Sequence, residues 1–135
     1  KPMPSKKSIY KKPYEKVDSV DESVWFSNDT PIMETDFTFV FDDRYPCVEG
    51  HKLFIPKENN AHFLGKSYGL AYDYGNQQIK KGNIQGFNIG MNIGICAGQT
   101  IMWPHIHFIP RKDKDSTPIG GMRHAHPGAD HTRYY

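Results

Sequence analysis

Gly98-Gln99-Thr100-Ile101-Met102-Trp103-Pro104-His105-Ile106-His107-Phe108-Ile109-Pro110-Arg111 is the stretch on which the reading of this chain turns. Two histidines, His105 and His107, sit two residues apart inside an apolar run. Successive side chains of a strand point to opposite faces. Read as a strand, the run puts Trp103, His105, His107 and Ile109 on one face and Met102, Pro104, Ile106 and Phe108 on the other. One face packs a core, and the other presents two imidazoles side by side. Just upstream, Ala97, Gly98, Gln99 and Thr100 supply flexible backbone and hydrogen-bond donors. A nucleophile flanked by donors is what acyl or phosphoryl transfer requires.

The neighbouring segments supply a sheet for this strand to join. Phe87, Ile89, Met91 and Ile93 alternate with Asn88, Gly90, Asn92 and Gly94, a strand and turn with one small-residue side. Residues 60–81 carry the helix signal: Phe63, Leu64, Tyr68, Ala71, Tyr72 and Ile79 recur at three- and four-residue steps. Asn59 or Asn60 suits the N-cap, and Lys80-Lys81-Gly82 suits the other end. Phe37-Thr38-Phe39-Val40-Phe41 is aromatic and β-branched, hence a strand, with Phe37, Phe39 and Phe41 on one face. Lys52 to Lys57 reads as its antiparallel partner, and Ile32 to Asp36 as a first strand. The pattern is strand, strand, strand, helix, strand, strand, tail, which is α+β with a mainly antiparallel sheet.

At 135 residues the chain suits one domain. Lys plus Arg is 17 and Asp plus Glu is 15, for a net charge of +2. That balance does not by itself argue for nucleic acid or a membrane. Residues 1–23 are expected to be a basic, proline-containing arm, irregular and solvated. The arm's other reading is a wrap along its own domain or a partner, anchored by Ile9, Tyr10, Tyr14 and Val17. The domain proper spans 24–135, with a charged tail from about 112 that holds His124, His126 and His131. Cys47 and Cys96 lack Cys-x-x-Cys spacing and read as reduced thiols. No apolar run is long enough to span a bilayer and no signal-peptide pattern is seen, so a cytoplasmic location is expected.

Three co-ordered blocks resemble the histidine-triad (HIT) family of nucleotide hydrolases and transferases. They are Phe41-Asp42-Asp43-Arg44-Tyr45-Pro46 with Glu49-Gly50-His51 through Lys57, then Gly86 through Asn92, then Ala97 through Arg111. Bare His-x-His is a weak signal, whereas three blocks in order are specific. The family signature is His-x-His-x-His followed by two apolar residues. Here that frame reads Trp103-Pro104-His105-Ile106-His107-Phe108-Ile109, with Trp103 where the first histidine stands in the family.

The resemblance implies a HIT-like fold, an antiparallel sheet of about five strands with one long helix. It implies hydrolysis or nucleotidyl transfer at the α-phosphate of a purine nucleotide derivative, a phosphoramidate or a dinucleoside polyphosphate. His105 would be the nucleophile and form a nucleotidyl-histidine. Its other ring nitrogen needs an acceptor, for which the backbone carbonyl of residue 103 is a candidate. His107, His51 and Thr100 complete the expected catalytic set. Asp43 falls on the ribose-binding position, Phe41 with Phe26 or Trp25 on the base, and Asn92, Gln99, Gly98 and Trp103 around the nucleotide. No metal or other cofactor is required, although His51, His105 and His107 could together hold a zinc ion. A homodimer is implied, with no membrane partner. Two alternatives remain: a noncatalytic nucleotide-binding module in which Trp103 marks lost activity, and a nucleic-acid 5'-adenylate-processing enzyme that uses the lysine-rich arm.

Overall fold

The computed structural model describes residues 13–132. Five strands form one antiparallel sheet: β1 (Met33–Glu34), β2 (Thr38–Asp42), β3 (Lys52–Pro56), β4 (Gly86–Gly90) and β5 (Ile106–Arg111). Their spatial order is β1-β2-β3-β5-β4. Two helices accompany them, α1 (Val24–Asn28) and the long α2 (Ala61–Lys80). This is the α+β architecture expected.

The α2 helix starts where Asn60 caps it, its side chain accepting from the Phe63 amide at 2.9 Å. That bond satisfies one of the orphan donors of the first turn. Gly82, at φ +80°, takes the chain out beyond the Lys81 C-cap. One face of α2 covers the sheet, and Ala71 packs with Val40, Phe54, Ile84, Ile106 and Phe108. Gly75 is the point of closest approach: a Cβ there would lie 2.4 Å from the Phe87 ring. Alternation along β5 works as expected from Ile106 onward. Ile106, Phe108 and Pro110 are buried, while His107, Ile109 and Arg111 are half-buried.

The opposite face of the sheet is covered as well. Val20, Trp25, Phe41, Leu53, Ile55, Ile101 and Trp103 form a second core, flanked by Val17, Val24, Phe26 and Phe39. Phe41 is fully buried there, and such burial stabilises by roughly 1.5–3 kcal/mol per side chain. The described part of the N-terminal arm therefore lies on the domain instead of standing off in solvent. The Tyr14 amide donates to the Thr100 carbonyl at 2.8 Å, and Lys16 pairs in parallel with Met102. Tyr14 itself is half exposed, so Val17 and Val20 are the anchors. Ile9 and Tyr10 lie outside the described residues.

One expectation needs correction. The regular strand is shorter than expected, because β5 begins only at Ile106. The side chains of His105 and His107 still line one cavity, with ring centroids 5.3 Å apart, and Trp103 packs with Leu53, the residue opposite His107. Pro104 has no N–H to give to a ladder, and its ring biases the residue before it to extended backbone. Residues 101–105 form a separate segment that runs into the strand.

Candidate active site

The site is built where β2 ends, β3 begins and β5 starts. The register sets Phe41 opposite Leu53 and Asp42 opposite Lys52. Across the next pair of strands Leu53 stands opposite His107. Asp43, just past β2, and His51, just before β3, thus fall beside His107. Between them the loop turns back at Gly50, whose φ of +93° favours glycine. The loop is tied to its own ends. The Asp43 amide donates to the His51 carbonyl at 3.0 Å, and the Tyr45 amide to Asp43 Oδ1 at 2.8 Å.

These residues face the segment from Asn92 to His105 across a cavity of about 290 Å³. Asp43, His51, Asn92, Gly98, Thr100, His105 and His107 line it, as do Trp25, Tyr45, Leu53 and Ile101. Most of the residues singled out in the sequence are therefore brought together. The side chains of Phe41, Gln99 and Trp103 are not among the lining. Phe41 belongs to the core, with Phe26 packed edge-on at 5.4 Å. Gln99 braces its own loop, accepting from the Gly94 amide at 2.9 Å and donating to the Ile101 carbonyl at 3.0 Å. Trp103 is 4% exposed, and its indole N–H donates to the Pro56 carbonyl at 2.9 Å. Gly98, at φ +97°, allows the bend that brings the loop against Asn92.

The histidine protonation states follow from their partners. His105 Nδ1 lies 2.7 Å from the Trp103 carbonyl. A carbonyl can only accept, so Nδ1 carries the proton and Nε2 keeps its lone pair. Burial pushes the His105 imidazole below its usual pKa, against the opposing pull of that carbonyl. The ring is neutral at pH 7. Trp25 packs against it at 4.9 Å and an interplanar angle of 60°.

A second chain runs through the other two histidines. The Cys47 amide donates to His51 Nδ1 at 3.1 Å, so the proton of neutral His51 is on Nε2. That atom lies 2.9 Å from His107 Nδ1 and 3.3 Å from Asp43 Oδ2. His107 Nδ1 accepts, which places the His107 proton on Nε2. Burial lowers the His107 pKa to about 4, helped by His105 and His51. Burial also lowers His51, with Asp43 pulling the other way. The outcome is one imidazole with a bare nitrogen and, in the same cavity, one imidazole held as a donor.

Among the described residues the metal-capable cluster is Asp43, His51 and His107, with ligand atoms within 4.8 Å of one another. His105 is not part of it. The Cys47 amide keeps the His51 proton on Nε2, the nitrogen a metal would need, so ligation would break the chain of donors. The cluster fits a hydrogen-bond relay better than a metal. His124 and His131 pack on each other at 5.1 Å in the tail and do not line the cavity. Tyr45, Leu53 and Ile101 were missed in the sequence, and only Leu53 carried a signal, as a strand residue beside His51.

A family model described as HIT domain matches residues 27–114. Among curated relatives, adenosine 5'-monophosphoramidase HNT1 of Saccharomyces cerevisiae is 31% identical over 97 residues, covering 67% of this chain and 59% of its own length. Adenylylsulfatase HINT3 of Arabidopsis thaliana is 32% identical over 91 residues, covering 62% of this chain and 46% of its own length. The chain thus spans about half the length of these two relatives. A zinc-bound histidine triad family protein from Mycobacterium smegmatis superposes with a TM-score of 0.60 at 26% identity, covering 67% of this chain and 73% of that one. The family model covers more than half of the chain and the fold is shared with the Mycobacterium smegmatis protein, and the chain belongs to the HIT family.

Proposed function

We propose that the protein hydrolyses or transfers the nucleotidyl group of a purine nucleotide derivative, a phosphoramidate or a dinucleoside polyphosphate, through a covalent intermediate on His105. The observation that carries this reading is the 2.7 Å bond from His105 Nδ1 to the Trp103 carbonyl, which leaves Nε2 bare in a neutral ring. In the first step Nε2 bonds to the α-phosphorus, and the phosphorus–leaving-group bond breaks with its electrons going to the leaving group, which takes up a proton from solvent when it is an amine. The imidazole becomes cationic, and its Nδ1–H bond to the carbonyl becomes charge-assisted. In the second step water attacks phosphorus and gives up a proton to solvent, the phosphorus–nitrogen bond breaks with its electrons returning to Nε2, and the nucleoside monophosphate leaves with neutral His105 restored. Splitting one hard displacement into two is the purpose of such an intermediate.

The other lining groups have matching tasks. His107 Nε2–H and the Thr100 hydroxyl donate to the phosphoryl oxygens, where negative charge grows. Asn92 and the Gly98 backbone hold the same group. Asp43 accepts the ribose hydroxyls with the lone pairs its local bonds leave over. Trp25 forms the apolar wall beside His105. None of these steps calls on a metal. The names of the two curated relatives, a phosphoramidase and an adenylylsulfatase, support the substrate class.

A second copy of the chain is the proposed partner. β4 is an edge strand, and Ile93, Ile95 and Met122 nearby are 59–71% exposed. An unpaired edge beside exposed apolar side chains favours pairing with another chain. Sedimentation of the full chain checks this, with a dimer expected. For the chemistry, adenosine phosphoramidate and diadenosine polyphosphates are the probes. Turnover by wild type well above that of His105→Ala supports the reading. Tight nucleotide binding with equal, negligible turnover by both would leave a binding module.

A further inference from the structure

Trp103 stands where the family pattern has a histidine, yet its side chain does not line the cavity. We propose that Trp103 is a positioning residue: its indole, tethered to Pro56, fixes the backbone carbonyl that holds the His105 ring. This rests on the reading of His105 as the nucleophile.

The carbonyl has little else to fix it. Residues 103–105 precede β5, so the ladder with β3 and β4 does not include them. Pro104 has no amide to donate. Besides the packing of Trp103 in the core and of His105 on Trp25, the segment is fastened to the sheet by one side-chain hydrogen bond. The Trp103 indole N–H donates to the Pro56 carbonyl at 2.9 Å, in the core beside Phe41, Leu53 and Ile55. Pro56 is the last residue of β3 and pairs with Thr38 of β2, so the tether ends on the sheet itself. The same residue then takes the His105 Nδ1 proton on its main-chain oxygen at 2.7 Å. Trp103 thus links sheet and nucleophile with one bond on each side. Further upstream, the Met102 pairing with Lys16 and the bond from Tyr14 to Thr100 secure the segment's other end. If the indole tether is lost, the carbonyl is free to turn. His105 then loses the bond that selects its tautomer and the acceptor for the cationic ring of the intermediate.

The test uses the full chain with ¹⁵N-labelled histidine. Long-range proton–nitrogen correlation reads which ring nitrogen of His105 is protonated, with no substrate present. Wild type is expected to show the Nδ1–H tautomer alone. Trp103→Phe keeps an aromatic ring but removes the N–H. It is expected to show mixed tautomers at His105 and single-turnover nucleotidylation about 10- to 100-fold slower. The KM for the nucleotide derivative is expected to change by less than about twofold. Should Trp103→Phe fold poorly, β-(3-benzothienyl)alanine at position 103 keeps the indole shape without the N–H and is expected to behave alike. A folded variant with the wild-type tautomer and the wild-type rate overturns the proposal. The two readings fail separately. Mixed tautomers in the variant with no adduct in wild type would remove the nucleotidyl chemistry and keep the tether.

Discussion

The two walls of the cavity are held in different ways. Asp43, His51 and His107 stand at the ends of paired strands, where each neighbour is fixed by several ladder bonds. The Gly98–His105 wall lies outside the sheet and hangs on a few individual bonds: Gln99 to Gly94 and Ile101, Trp103 to Pro56, and the arm to Thr100 and Met102. Redundant bonds on the first wall mean that damage to the sheet beneath it registers as lost stability. Sparse bonds on the second mean that damage registers as lost geometry around the nucleophile. Each substitution below is placed to break that contrast or to sharpen it.

The largest effect is expected at the nucleophile. His105→Ala should lower turnover of adenosine phosphoramidate by at least about 10⁴-fold, because the covalent route is lost entirely. Thermal unfolding of the same variant tests whether the loss is chemical and not a loss of fold. Next comes the sheet under the strand wall. Phe54 is fully buried between α2 and the strands, and Phe54→Ala should cost about 3–5 kcal/mol in urea unfolding. His51→Ala removes the donor to His107 Nδ1 and should slow nucleotidylation by about 10²-fold, since His107 is then free to switch tautomer. Gln99→Ala should cost only about 1–2 kcal/mol, the value of two half-buried loop bonds. If Gln99→Ala instead lowered stability as much as Phe54→Ala, the contrast between the walls would be lost.

The smallest and most graded effect is that of pH. The folded His107 pKa lies near 4, below the ordinary 6.5. The unfolded chain therefore binds more protons than the folded one between these values, and stability rises with pH across that window. The contribution of His107 is complete above about pH 6.5 and is lost as pH falls toward 4. Burial lowers His105 and His51 in the same direction. A urea midpoint that falls as the pH is lowered through this range in wild type, with a shallower slope in His107→Gln, is the expected pattern.

Local pattern carried much of this fold. The steps from Phe63 to Ile79 located α2 to within a residue or two, and alternation from Ile106 to Arg111 located β5. The alternation reads on through Pro104, whose missing amide ends the ladder, so β5 starts later than the pattern suggests, while His105 and His107 face one cavity as it implies. The pairing of Asp43 with His51 and His107 was not visible as a pattern, since it depends on the register of three strands. The identity of the residue beside His105 was half visible. Phe26 or Trp25 was expected with Phe41 near the base, but the contact of Trp25 with the nucleophile depends on how α1 docks, and so does the burial of Phe41. The same holds for the arm, whose Val17 and Val20 carry no period yet complete a core.

The central claim is that His105 Nε2 becomes bonded to phosphorus. Acid-free quenching of wild type mixed with adenosine phosphoramidate, followed by peptide mapping with fragment-ion sequencing that separates His105 from His107, reads this directly. The account predicts an adenylyl group on the peptide that contains His105, formed before monophosphate is released and absent from His105→Ala. Turnover that proceeds with no adduct, or with an adduct carried by another residue such as His107, would contradict it.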